Sequence, residues 1–259
     1  MTNVDSGGGA FDFGRVISHT FKVIGSNAAL FGVGSLVLVG LPNFLSSIAG
    51  LAFPSESLFV SLASVVIAVV GSLVLQALVV RAAIGVLNGA PVAPKEVLNT
   101  SLRYILPLLG LGIIVAIGVL VGALFLIVPG IIISILWSVA APALVAEKRG
   151  VFASLQRSRD LTRGHRWAIF GLMVIYVIAS IIVGVAISMV GVLGVVGSGG
   201  LDSADVTSLS GVTVLVAVVS ALVNAAQGVV AAAAVSSLYY ELRMAKEGGV
   251  PDQTAAVFD

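Results

Sequence analysis

Cysteine is absent from the 259 residues of this chain. Disulfides, thiolate nucleophiles and thiolate metal ligands are therefore excluded. Histidine occurs only as His19 and His165, and neither forms a two-histidine helical metal pair. There is no HExxH and no GxSxG nucleophile elbow. Charge is scarce too: 10% of residues are charged against 59% hydrophobic, and mean hydropathy is +1.17. That leaves too little polar surface to coat a water-soluble domain of this length. The composition predicts an all-α integral membrane protein, with no cofactor, no metal and no nucleic acid among its ligands.

What the chain does have is uncharged length. A hydrocarbon core of about 30 Å needs about 20 apolar residues in a helix. Runs of that kind lie at approximately 28–50, 58–80, 104–128, 131–146, 167–198 and 209–240, which predicts six spans. All 13 Lys and Arg residues fall in alternate gaps: the N-terminus, 81–103, 147–166 and the C-terminus. The connections near Glu56, Pro129 and Asp202 carry none. This positive-inside asymmetry predicts a multi-pass protein with both termini cytoplasmic. The net charge of +1 hides the polarity, because acids such as Asp202 and Asp205 sit on the opposite side. More than twenty residues precede a first run long enough to span, so translocation is predicted to begin at that span without a cleaved signal peptide.

Val128-Pro129-Gly130-Ile131 leaves only a tight turn between the third and fourth runs, which read either as two crossings or as a re-entrant hairpin. Pro107 and Pro142 remove backbone donors inside these runs and predict kinks. One pattern recurs three times: a short amphipathic stretch, a span, a turn and a second span. The amphipathic stretches begin near Gly14, Pro94 and Gly150 and are too charged to cross. In the first, Phe13, Val16, Ile17, Phe21 and Ile24 oppose Arg15, Ser18, His19 and Lys22, with Asp12 placed to cap. The third sets Val151, Phe152, Leu155 and Leu161 against Gln156, Arg157, Arg159, Asp160 and Arg163. The expected organisation is one membrane domain with a disordered tail at 1–9, units at 10–93, 94–149 and 150–247, and a cytoplasmic tail at 248–259. Each unit is a helix pair preceded by an interfacial helix at the cytoplasmic face.

Gly118 and Gly122, then Gly184, Gly191, Gly194 and Gly197, then Ala231 to Ala234 read as surfaces for close helix approach, and such faces also fit a homo-oligomer or other membrane-protein partners. No ionisable residue lies deep in a run; the deepest polar groups are Asn43, Gln76, Asn224 and Gln227. A channel or uncoupled transporter would use Gln76, Asn224 and Gln227 as its polar pathway. A headgroup-modifying enzyme at the inner face would need Glu147, Asp160 and His165 to meet. The strongest local signal is the basic segment Arg157, Arg159, Arg163, His165, Arg166 and Trp167, which reads as a collar for anionic headgroups or a protein partner.

The stretch from Pro142 to Trp167, PALVAEKRGVFASLQRSRDLTRGHRW, resembles the membrane-domain family named after glycerophosphoryl diester phosphodiesterase, together with related multi-span bacterial proteins of unknown function. The matching features are Pro129-Gly130, Pro142, Glu147, Gly150, Arg157-Ser158, Leu161 to His165 and Trp167, with Leu238 to Arg243 closing the last span. Where similar sequences often show an aromatic residue after the Arg-Ser pair, this chain has Arg159 and then Asp160. The family name comes from proteins that join such a region to a separate soluble phosphodiesterase domain. The short connections here have no room for a catalytic barrel, so that activity is not carried over. The resemblance implies a bacterial inner-membrane location. The function expected from the sequence is that of a lipid-interacting or partner-binding membrane module without catalytic activity.

Overall fold

In a computed structural model of the chain, the described residues are 11–52, 58–89, 97, 101–197 and 211–248. The expected tails at 1–9 and 249–259, and most of the second amphipathic stretch, lie outside them. Every regular element among the described residues is helical: α1 (Phe13–Ser26), α2 (Ala28–Ser35), a π-helical turn (Leu36–Gly40), α3 (Leu41–Ala52), α4 (Leu58–Leu87), α5 (Ile105–Phe125), α6 (Ile127–Leu136), α7 (Ala140–Glu147), α8 (Val151–Thr162), α9 (Arg166–Gly197) and α10 (Gly211–Glu247). Among the described residues six helical stretches are long and apolar enough to cross a membrane: Ala28–Ala49, Leu62–Leu87, Ile105–Phe125, Ile127–Glu147, Arg166–Gly194 and Gly211–Glu247. They coincide with the six apolar runs, and the protein is an all-α, multi-pass membrane protein. Side chains such as Leu106, Leu124, Phe125 and Ile127 stand almost fully exposed, as apolar groups solvated by acyl chains do.

The chain forms two compact units, one of Met1–Asn27, Ala77–Gly171 and Ala232–Asp259, the other of Ala28–Gln76 and Leu172–Ala231. Within the second unit the decisive element is Pro42. Proline has no N–H to give the carbonyl four residues back, and its ring would collide with that carbonyl, here Leu38. The helix widens instead: Leu41 N–H reaches back to Leu36 O, the π-helical spacing. Asn43 Nδ2 donates to Val39 O at 2.8 Å, so this amide serves its own helix. The released Leu38 carbonyl presses against Gly71 of α4, where any Cβ would overlap the oxygen. Gly191 and Gly194 of α9 admit Val216 and Val212 of α10, whereas Gly184 faces nothing within 4 Å.

Within the first unit, α5 and α6 form a hairpin turned at Leu126, whose backbone is extended (φ −165°, ψ 148°). A Cβ on Gly122 would come within 3.0 Å of Gly130 N, and one on Gly118 would strike the Trp137 ring. The expected small-residue contact thus receives specific partners. Pro107 does not break its span. It is the third residue of α5, where the missing N–H has no intrahelical acceptor to lose, and the helix continues unbroken to Phe125. Pro142 likewise sits in the first turn of α7, just after a break in the fourth span at Trp137–Val139. α1 begins as expected, with Asp12 Oδ1 accepting from Gly14 N–H at 2.7 Å. Its buried stripe is Val16, Thr20 and Val23; Ile17 and Phe21 remain exposed.

Candidate functional site

α8 is positioned by the break in the span before it. Gly150 is its N-cap, and Ser154, Leu155, Ser158, Leu161 and Thr162 point inward at helical spacing. The end of α6 and the approach to α7 leave Leu136 O and Val139 N–H without helical partners. Ser158 satisfies both: its hydroxyl donates to Leu136 O at 2.7 Å and accepts from Val139 N–H at 3.3 Å. Because Ser158 is fully buried, a Ser158→Val chain strands two backbone groups away from water. The expected loss is about 2 kcal/mol in reversible unfolding from mixed micelles. Ser188→Val, at an exposed hydroxyl that bonds only its own helix, is the comparison and is expected to change little.

Between its flanks α8 carries two chemically different faces. Arg157 turns toward α7 and α10, where its Nε donates to Glu147 Oε1 at 2.7 Å and its Nη2 pairs with Glu247. Burial works against its charge, but bonds to Glu147 and Glu247 and their proximity outweigh that, so the guanidinium pKa is raised above its ordinary value. Tyr239 Oη donates to the same Glu147 oxygen at 2.8 Å, while Glu147 Oε2 lies 2.5 Å from Arg149 Nε. Arg243 Nε donates to Glu247 at 2.9 Å. These groups tie α7, α8 and α10 together. A second buried carboxylate, Glu241, holds α1: Arg15 Nε is 3.1 Å from one oxygen and His19 Nδ1 is 3.1 Å from the other.

The opposite face of α8 opens on a hollow of about 680 Å³. Gln156, Arg159 and Asp160 come from α8, Arg163 follows its last turn, and Arg166 opens α9. Trp137 and Leu155 supply the apolar wall. The chain reaches α9 through Gly164, whose φ of 96° is the left-handed turn that glycine accommodates, and His165 N–H closes it on Thr162 O. Lys246 Nζ bonds the Asp160 carbonyl, fixing that edge against α10. Arg159, Arg163 and Arg166 are exposed and make no ion pair among the described residues.

The basic segment of the sequence is therefore divided. Arg159, Arg163 and Arg166 share the hollow, Arg157 belongs to the carboxylate network, and His165 packs on Phe11 with ring centroids 5.1 Å apart. Trp167 is 86% exposed, edge-on to Phe170. The sequence offered Ser158 and Tyr239 only within the family resemblance and Gln156 only as part of a polar face, and it gave no sign of Trp137. A signal was present for Ser158, since Ser154 and Ser158 stand one turn apart among apolar neighbours. Glu147, Asp160 and His165 serve three separate places, and among the described residues no group of three His, Asp or Glu side chains converges as a metal site would need. No hydrogen bond joins the side chains of Gln76, Asn224 and Gln227 among the described residues; the Gln227 carbonyl instead accepts from Tyr176 Oη at 3.3 Å. Asn224 is exposed on α10. No family model, curated protein or solved structure matches this chain.

Proposed function

We propose that this protein is a lipid-binding module of the bacterial inner membrane, with both termini cytoplasmic and no catalytic role. One observation carries the reading: three arginines that form no ion pair among the described residues converge on a single hollow, where they outnumber its one carboxylate, Asp160. Unpaired guanidinium groups facing a membrane surface recognise phosphate, each gaining about 1 kcal/mol beside anionic headgroups. Support comes from the positive-inside distribution of all 13 basic residues and from Trp167, exposed beside Arg166 as interfacial aromatics are. The resemblance of the segment 142–167 to a family of bacterial membrane domains agrees with that location.

The test is native mass spectrometry of protein extracted with its surrounding bilayer into polymer-bounded discs. The wild-type chain is expected to carry anionic phospholipid. A triple R159Q/R163Q/R166Q chain is expected to lose at least tenfold of that retention, about 1.4 kcal/mol in binding. R103Q, which removes an exposed arginine outside the hollow instead, is expected to keep most of it. Equal retention by wild type and the triple chain would sink the proposal.

A further inference from the structure

Resting on that reading, we infer that the hollow beside α8 is a site for one phosphate ester whose attached group bears hydroxyls, and not a patch that gathers anionic lipid by charge. Asp160 sets the class of ligand. Three guanidinium groups alone would suffice to hold a bare phosphate, and a carboxylate among them weakens that hold. Asp160 forms no ion pair with its arginine neighbours among the described residues, so its oxygens remain available to accept hydrogen bonds. A ligand that brings its own donors turns this carboxylate from a liability into a contact. Gln156, one turn before Asp160 on the same stripe, offers a further acceptor and donor.

Charge decides between the two kinds of donor a headgroup can bring. A phosphate–ammonium zwitterion carries no net charge and would leave the arginine excess uncompensated, whereas a hydroxylated phosphate ester stays anionic and matches it. The start of α9, at Arg166, adds the positive end of a helix dipole at the rim. Trp137 and Leu155 give the carbon skeleton a wall to lie on. The same chemistry is presented by a glycerol-headed lipid and by a free sugar phosphate.

The experiment reconstitutes the full chain in phosphatidylcholine discs. The discs are doped at equal mole fraction with phosphatidylglycerol or phosphatidic acid, or left undoped and titrated with glucose 6-phosphate. Retention is read by native mass spectrometry, and occupancy of the hollow by the part of the tryptophan fluorescence response that disappears in W137F. The expected result is at least tenfold preference for phosphatidylglycerol over phosphatidic acid, with a Trp137 response. R163Q should abolish both, and D160N should erase the preference while leaving phosphatidic acid bound. A Trp137 response to glucose 6-phosphate without doped lipid would support the same site with a soluble ligand as its source. Retention that follows lipid charge, unchanged in D160N, would overturn the site and leave the lipid-binding reading standing. Retention without a Trp137 response would place the lipid elsewhere and also overturn it. Failure to retain either lipid or to respond to glucose 6-phosphate would remove both the site and the reading beneath it.

Discussion

Replacing Gly71 by alanine is expected to cost about 3 kcal/mol or more, at the upper end of what overpacking does in a core. An overpacked side chain usually escapes by changing rotamer, but here the obstacle is main chain: the added Cβ would overlap Leu38 O and lie 3.1 Å from Leu38 C. Relief requires α4 to move away from the π turn as a body. The conflict originates in Pro42, which denies Leu38 O its helical donor and forces the wider turn. A Pro42→Ala chain restores an N–H at that position and lets the helix tighten. The double variant P42A/G71A is therefore expected to lose clearly less than the two single losses combined, a coupling measurable in a double-mutant cycle. Gly32 is the internal control. It is an exposed helical position with nothing within 4 Å of an added Cβ, so Gly32→Ala is expected to be neutral or stabilising by up to about 1 kcal/mol. Additive losses in the cycle would show that Leu38 and Pro42 are not the source of the strain. Unfolding in mixed micelles, followed by the fraction that elutes as a monodisperse species, reads all four chains.

The spans were legible because solvent imposes them: a run of uncharged residues long enough to cross has few other folded uses. Their lower ends were less so. Arg81 and Glu241 read as the polar ends of runs, yet α4 continues to Leu87 and α10 to Glu247, because those last turns bury Ala82, Ala83 and Leu242 within the first unit. Charge marks where apolar character stops, not where a helix stops. The collar was legible as composition and not as geometry. At 100° per residue, Arg157 stands about 160° around α8 from Arg159. Its use therefore depended on which face α8 would bury. That choice was made by Ser158, whose partners lie about twenty residues earlier in the chain. No periodicity within 151–162 could disclose them. Trp137 was hidden for a similar reason: its ring sits against Gly118, which only the α5–α6 hairpin brings near.

Glu147→Ala is the second large effect expected, again about 3 kcal/mol, and it reaches the hollow indirectly. Glu147 is 11% exposed at its side chain and receives Arg157 Nε, Tyr239 Oη and the approach of Arg149. Removing one member of a buried ion pair costs about 3–5 kcal/mol because the partner charge stays behind without compensation. Arg157 retains Glu247, and its own side chain is 19% exposed, which sets the lower end of that range. Glu147→Gln keeps an acceptor for Tyr239 and Arg157 but surrenders the charge, so an intermediate loss is expected. Glu247→Gln, at a carboxylate 37% exposed, is expected to cost less than 1 kcal/mol. Tyr239→Phe removes one hydrogen bond and is expected to cost about 1 kcal/mol. The functional consequence follows from position. Glu147 fixes α8 from the side opposite Arg159 and Arg163, so its loss frees the helix to roll and disperses the arginines without altering them. Retention of anionic lipid by the Glu147→Ala chain is expected to fall even though the positive charge of the collar is untouched. A chain that is destabilised by that amount yet holds lipid as well as wild type would show that charge, and not the geometry held by Glu147, is what the membrane surface reads.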